Sequence, residues 1–419
     1  MISKRSRGNE GELSSLIAAH FECTRNRFHP TDNPDGAINL GTAEDYLMDD
    51  YNLARVAQPL AMQSEHLHYS EPRGIASLRQ ALAVFMTEIS GLHGINPDNV
   101  IVAAGAGSIL ESIAYNLFDR DDALITPAPY YSGYDHDFGT RFGVKIVPAY
   151  MDARNHFRFE MDRLDDCYKR TIKSGQAVKA LLINSPNNPL GQLYSIENLE
   201  NIVAFARSHQ LHIIADEIYT HSIFDSEQQG YKSLLEIDPG YRDHIHRVYG
   251  IAKDFALSGF RVGFCYSENE QLLEGMKTSV YFSNVSTHSQ VLTETLLSDL
   301  PACRKFFAIN RQKLLAAFQH LQSELQQCPR LEYLHTQAGH FVFIDFSHYL
   351  QPPTFEAELA LFDDLFSQTR VNITPGQYFK CNTPGWFRLC FANHPEVVSE
   401  ALRRLTGFLG DYSTGRVGG

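Results

Sequence analysis

No CxxC pair, HExxH motif or P-loop pattern occurs in the 419 residues, and no apolar run is long enough to span a bilayer. The seven cysteines (Cys23, Cys167, Cys265, Cys303, Cys328, Cys381 and Cys390) are odd in number and scattered. That pattern argues against a zinc site or a disulfide framework and fits reduced thiols in a cytoplasmic protein. Basic residues are the minority, 36 against 49 acidic, for a formal net charge of −13. Nucleic-acid binders need a basic footprint, so this balance argues against one. The opening Met1–Gly8 has no apolar segment of the signal-peptide kind. Internal repeats and low-complexity stretches are also missing.

What is present is the composition of a globular enzyme, 43% hydrophobic and 20% charged, with length for a large core and two lobes. The first sixty residues mix charge, Pro and Asn and read as an arm followed by irregular chain. From Leu67 onward, helices alternate with short apolar strands. Ile75 to Met86 carries Leu78, Leu82 and Phe85 on one helical face. Buried strands are predicted at Val100–Ala103, Ala123–Thr126, Val144–Val147, Ala180–Asn184 and His212–Asp216, with a crossover helix at Leu199–Gln210. A helix-rich stretch from Thr293 to Gln327 leads into a smaller lobe. This rhythm predicts an α/β fold, a mostly parallel sheet with helices on both faces plus a smaller α/β domain. The divisions are 1–60 (arm and part of the small domain), 61–299 (large domain) and 300–419 (small domain). In such sheets, sites gather at the carboxyl ends of the strands, where Gly105, Asn188, Asp216 and Lys253 fall.

Gly250-Ile-Ala-Lys253 through Arg261-Val-Gly263 is the most informative stretch. A lysine among small residues brings its amine close to a planar group, and desolvation makes it nucleophilic. Arg261, eight positions on, offers a charged fork for a phosphate; a basic surface loop is the alternative. Asp216 suits a protonated pyridine nitrogen or, equally, the cap of the next turn. Tyr219 is either a donor to a ring oxygen or an ordinary half-buried tyrosine. The proline after Asn188 restricts its backbone and aims its amide. Gly105, Ala106, Gly107 and Ser108 open a helix and can cradle a phosphate, or simply permit tight packing. Tyr131 can stack on a flat ring or fill core. Arg388, inside an apolar strand, needs an anion: a structural salt bridge or a substrate carboxylate.

Taken in order, Asn-Pro-x-Gly at 188–191, Asp-x-x-Tyr at 216–219 and Lys253 with Arg261 resemble the pyridoxal-phosphate (PLP) enzymes of aminotransferase fold type I. The likeness runs from Ala37 to Leu405. Within that family the chain is similar to the aminocyclopropane-carboxylate synthase branch. Gly41-Thr-Ala-Glu44, Pro129-Tyr-Tyr131, Lys253-Asp254, Thr374-Pro-Gly376 and Gly385-Trp-Phe-Arg388 carry that similarity. The resemblance implies a Schiff-base role and α-proton transfer for Lys253, and pairing of Asp216 with the cofactor ring nitrogen. It implies ring-oxygen contacts from Asn188 and Tyr219, stacking by Tyr131, and phosphate binding by Arg261 with the backbone of Ala106 and Gly107. Arg388 would hold the substrate α-carboxylate and Glu44 would lie near the substrate. Tyr69 would reach into a neighbouring subunit's site, implying a homodimer with shared sites. No metal is implied.

Three positions depart from the family pattern. Gly250 and Ala252 stand where serines are common, and Gly107 replaces a hydroxyl residue, with Ser108 next to it. The Tyr69–Gly74 segment is spaced like general aminotransferases. The leading expectation is therefore an enzyme acting on an α-amino acid by Cα deprotonation, with elimination, cyclisation or replacement on S-adenosylmethionine or a related substrate. A class I/II aminotransferase comes second and a carbon–sulfur lyase third. A non-catalytic regulator on this fold would need an added DNA-binding segment, for which the acidic chain leaves no length before the enzyme-like region.

Overall fold

The computed structural model describes residues 15–225, 230–328 and 330–413. Residues 1–14 of the expected arm and 414–419 of the expected small domain lie outside the described residues. Seven strands form the large sheet: β2 (Val100–Ala103), β3 (Ala123–Ala128), β4 (Lys145–Tyr150), β5 (Val178–Asn184), β6 (His212–Asp216), β7 (Ile245–Gly250) and β8 (Gly263–Tyr266). Their order is β2-β8-β7-β6-β5-β3-β4, and β8 alone runs against the rest. Strand alternation sends side chains to both faces, and both are covered. Ile101, Leu124, Leu182, Ile214 and Val248 pack on one face with the helices Ala106–Leu117 and Glu270–Ser279. Val102, Ile125, Ile183, Ile213 and Tyr249 pack on the other with Ala76–Glu88, Met161–Lys173 and Ile196–Ser208.

A second core is built on an antiparallel sheet of β9 (Glu332–Tyr333), β10 (Phe341–Asp345), β12 (Thr374–Pro375) and β13 (Trp386–Cys390). Helices Phe355–Thr369 and Pro395–Ser413 cover it. The helix Leu300–Leu325 joins the two cores: Cys303, Phe306 and Phe307 enter the first, and Leu314, Phe318 and Leu321 the second.

The opening residues correct one expectation. They are not irregular up to residue 60 but contain helices Ser15–Arg25 and Asp49–Val56 and a strand β1 (Ile38–Asn39). β1 pairs in parallel with β11 (Val371–Asn372), so Ile38 and Leu40 join the second core. A two-residue strand has no period to read, and its partner lies over 330 residues away. The predicted helix-rich stretch is two helices, Thr287–Ser298 and Leu300–Leu325, and Asp299 caps the second by accepting from the Ala302 amide.

Below the strand ends, Glu217 and Arg247 form a buried ion pair at 2.7 Å. Glu217 also accepts from the Ser233 hydroxyl and the Leu234 amide, which anchors the end of β6 against β7. Breaking a buried pair by removing one partner leaves the other charge uncompensated. Glu217→Ala is expected to lower unfolding free energy by about 3–5 kcal/mol. Urea titration checks this as a lower midpoint at unchanged slope.

Candidate active site

β2, β3, β5, β6 and β7 all end at one edge of the sheet, and the segments leaving them carry the candidate side chains. Lys253 lies three residues beyond β7, half-buried, its Nζ donating to the Ala43 carbonyl at 2.6 Å. Burial pulls its pKa down to about 8, the Arg388 charge adds to this, and Glu44 opposes it. Much more of the amine is therefore neutral near pH 7 than for an exposed lysine.

Asp216 ends β6 and is buried. Its Oδ1 accepts from the Ile218 amide at 3.3 Å, so the turn-capping reading holds for one oxygen. Its Oδ2 accepts from the Tyr134 hydroxyl. Burial raises the Asp216 pKa to about 6, and the Tyr134 hydrogen bond pulls it back down. Tyr219 is buried, not half-buried, edge-on to His340 and Phe341. Its hydroxyl makes no hydrogen bond among the described residues and is free for a ring oxygen.

The partners of Arg388 bear on the choice between salt bridge and carboxylate clamp. It sits on β13, opposite Phe343 of β10 and Thr374 of β12, and is 5% exposed. No carboxylate among the described residues pairs with it. Nη1 donates to Asn188 Oδ1 at 2.9 Å and Nη2 to the Gly41 carbonyl, while Nε has no partner. The guanidinium lies over the Phe379 and Phe341 rings at 4.7 and 5.4 Å. A buried cation held only by neutral groups among the described residues retains the capacity to pair with an anion.

The phosphate side fits the cofactor that the resemblance implies. Gly105 has φ +87°, and a Cβ there would lie 2.5 Å from Arg261 Nη2. A Cβ on Gly263 would lie 2.4 Å from the Ala106 nitrogen. These two glycines thus allow the Arg261 fork and the N-terminus of helix Ala106–Leu117 to close on one point. Arg261 donates to the Ser258 carbonyl at 3.0 Å and forms no ion pair among the described residues, leaving donors for a phosphate. Gly107, Ser108 and Arg261 line one cavity there. Ser108 is a poor substitute for the missing hydroxyl, because its Oγ donates back to the Ala104 carbonyl at 3.2 Å. Gly250 is explained by packing: a side chain there would meet the Val262 carbonyl at 2.7 Å.

Asn188 offers its Oδ1 to Arg388, which leaves its amide nitrogen for a ring oxygen. Asn184 steadies it by accepting from the Asn188 amide at 2.7 Å and donating to the Asp216 carbonyl at 3.0 Å. Tyr131 is part-exposed and lies edge-on to Tyr134 at 5.3 Å, with Gly133 making room for its ring. Glu44 accepts from Ser258 and Tyr46, both at 2.8 Å. Tyr69 alone of the candidates is not brought here; it stands fully exposed on the surface. Sequence reasoning missed Tyr134, Asn184 and the carbonyls of Gly41 and Ala43. Tyr134 follows Tyr131 within Tyr-Tyr-Ser-Gly-Tyr-Asp, and that aromatic density was the available signal.

The aminotransferase class I and II family matches residues 36–405. A 1-aminocyclopropane-1-carboxylate synthase of Oryza sativa subsp. indica is 34% identical, covering 99% of this chain and 89% of the relative. One from Malus domestica is 32% identical over 98% of this chain and 91% of its own. Among solved structures, an aspartate aminotransferase from Thermus thermophilus with maleate superposes with TM-score 0.80 at 23% identity, covering 97% of this chain and 99% of that one. An aromatic aminotransferase from Pyrococcus horikoshii gives 0.75 at 23% identity over 90% and 96%. These last two establish the fold, and the family match with the relatives establishes the rest: the chain belongs to the class I and II aminotransferase family of PLP-dependent enzymes.

Proposed function

We propose that this chain is a 1-aminocyclopropane-1-carboxylate-synthase-like enzyme acting on S-adenosylmethionine. The observation that carries the reading is the buried Arg388 without a carboxylate partner, facing the same space as Lys253 and Glu44. An α-amino acid supplies the carboxylate that Arg388 lacks. A carboxylate such as Glu44 beside the reacting amine suits a substrate that also carries a positive sulfonium. The names of the relatives point to the same product class.

PLP, when bound, supplies an electron sink that stabilises a carbanion at the substrate's α-carbon. Arg261 with the backbone amides of Ala106 and Gly107 would hold its phosphate, Asp216 the proton on its ring nitrogen, and Asn188 and Tyr219 its ring oxygen. Tyr131 would cover its face. Gly105 and Ser108 complete the turn that presents those amides. Arg388 holds the substrate carboxylate and so fixes which substituent points at Lys253. The Lys253 amine takes the α-proton; the electron pair left on Cα closes on Cγ, the C–S bond breaks, and the sulfonium leaves as a neutral thioether. The second reading, an aminotransferase, is favoured by the spacing around Tyr69 and uses the same clamp. Residues 61–299 would form the cofactor-binding domain, and 300–419 with part of 1–60 the small domain.

The reading includes a cytoplasmic homodimer. Leu67, Tyr69, Tyr281 and Phe282 are exposed apolar side chains that a partner would cover. No helix among the described residues is long and apolar enough to cross a membrane. Buried free cysteines at all seven positions accord with a reducing compartment.

Incubation with PLP and S-adenosylmethionine is expected to release methylthioadenosine. Amination of a keto acid without that release would transfer the conclusion to the aminotransferase. Arg388→Ala is expected to raise KM for the substrate by about 100-fold, since it removes one half of a buried charge pair. If Tyr69 completes a neighbour's site, mixing inactive Tyr69→Ala and Lys253→Ala chains restores about a quarter of parental activity, because half of random dimers carry one intact site. Steady-state assays of the mixed and unmixed proteins decide it, and no recovery would remove Tyr69 from the shared site.

A further inference from the structure

Tyr134 is the one side chain the structure ties directly to Asp216 that no expected role covers. It is fully buried, three residues after Tyr131 in the segment leaving β3. Its hydroxyl donates to Asp216 Oδ2 and has no other hydrogen-bond partner among the described residues. The ring is held from two sides: it stacks on Tyr130 at 6.2 Å and 24°, and meets the Tyr131 ring edge-on at 5.3 Å and 89°. A side chain so fixed delivers its hydroxyl to one place. With the Ile218 amide on Oδ1, both oxygens of Asp216 receive a donor.

We propose that Tyr134 is a positioning residue that keeps the Asp216 carboxylate ionised and correctly turned for the cofactor ring nitrogen. The proposal rests on the cofactor roles assigned above. A carboxylate taken out of water tends to go neutral, and a neutral acid cannot hold a proton on the ring nitrogen through charge. A donor on the charged form restores it. Because Tyr134 also touches the Tyr131 ring, one residue ties the carboxylate that would pair with the ring nitrogen to the aromatic that would cover the ring.

The groups around Asp216 all bear on its ionisation. Glu217 adjoins it, Tyr131, Tyr134 and Asp137 come from the segment after β3, Lys253 from the segment after β7, and Tyr219 from the turn that follows. Asp137 lies close by. Burial and the nearby Asp216 push it up to about 7, so it is already largely neutral where Asp216 titrates. Removing the Tyr134 donor raises the pH at which Asp216 becomes neutral; removing the Asp137 carboxyl leaves that pH nearly unchanged.

The test is equilibrium binding of PLP, read as bound cofactor absorbance between pH 5 and 9, for the parent, Tyr134→Phe and Asp137→Asn. The parent is expected to lose affinity as pH falls through about 6, where Asp216 takes a proton. Tyr134→Phe keeps the ring and removes only the hydroxyl. Its midpoint is expected to move up by about one pH unit, with affinity reduced by about twofold at pH 7 and by about tenfold at pH 5. Asp137→Asn is expected to leave the midpoint close to that of the parent, because Asp137 is already largely neutral there. Urea midpoints within the error of the parent show that Tyr134→Phe folds normally; if it does not, Tyr134→His, which retains a donor, is expected to bind closer to parent than Tyr134→Leu. A Tyr134→Phe curve that overlays the parent, or a His variant no better than Leu, overturns the proposal. A parent that binds no PLP at any pH would instead overturn the cofactor assignment.

Discussion

Parallel strands cannot be joined by tight hairpins; each must be followed by a crossover that carries the chain back to its starting edge. In this chain that constraint gathers Gly105, Tyr131, Asn188, Asp216 and Lys253 at one rim, because β2, β3, β5, β6 and β7 point the same way. The exception is equally important. β8 runs antiparallel to β7, so no crossover intervenes and the connection from Gly250 to Gly263 stays at the rim. Lys253 and Arg261 both lie in that short connection. An amine and a guanidinium fork eight residues apart are therefore held at the same rim.

The rim accumulates charges that the protein does not neutralise itself. Among the described residues Arg388 has only neutral partners and Arg261 pairs with no carboxylate, and Lys253 is pulled toward its neutral form by burial and by Arg388. Asp216 is pushed the other way, toward protonation, by the same lack of water. Each shift is a cost to the folded chain, since a charge in low dielectric wants either a partner or neutrality. Two cores, one on each sheet, offset that cost, and the Glu217–Arg247 pair fixes β6 and β7 where it is greatest. Two anions and a proton acceptor would relieve most of the imbalance, and a phosphate-bearing cofactor with an amino-acid carboxylate provides both anions.

The sheet and most of the rim were legible in the sequence for a definite reason. Val100–Ala103 and His212–Asp216 are short runs with apolar, largely β-branched centres and coincide with the observed strands, and motif order then placed Lys253 and Asp216. β7 was hidden because Ile245-His-Arg-Val-Tyr-Gly250 carries His246 and Arg247, two polar side chains whose burial depends on distant partners. β1 and the helix at Ser15–Arg25 were hidden because they are local only in name: β1 exists through β11. Arg388 was found but not its circumstances. Nothing in a sequence with 49 acidic residues says that none of the described ones pairs with it.

The departures at Gly250 and Gly107 concern backbone distance more than lost hydroxyls. Gly250 and Gly263 are paired across β7 and β8, and at both positions a Cβ would strike backbone, the Val262 carbonyl in one case and the Ala106 nitrogen in the other. Backbone does not yield as a flexible side chain does, so a serine at 250 would push β8 away from β7 and carry Arg261 with it. Gly107 is different: its nearest obstacle is Asp137 Oδ1 at 3.1 Å, the end of a side chain. A hydroxyl residue there is sterically accessible at the cost of moving a carboxylate. The missing serine at 250 is thus built into the strand pairing that positions Arg261. The missing hydroxyl at 107 belongs with Asp137, the carboxyl that the small residue admits.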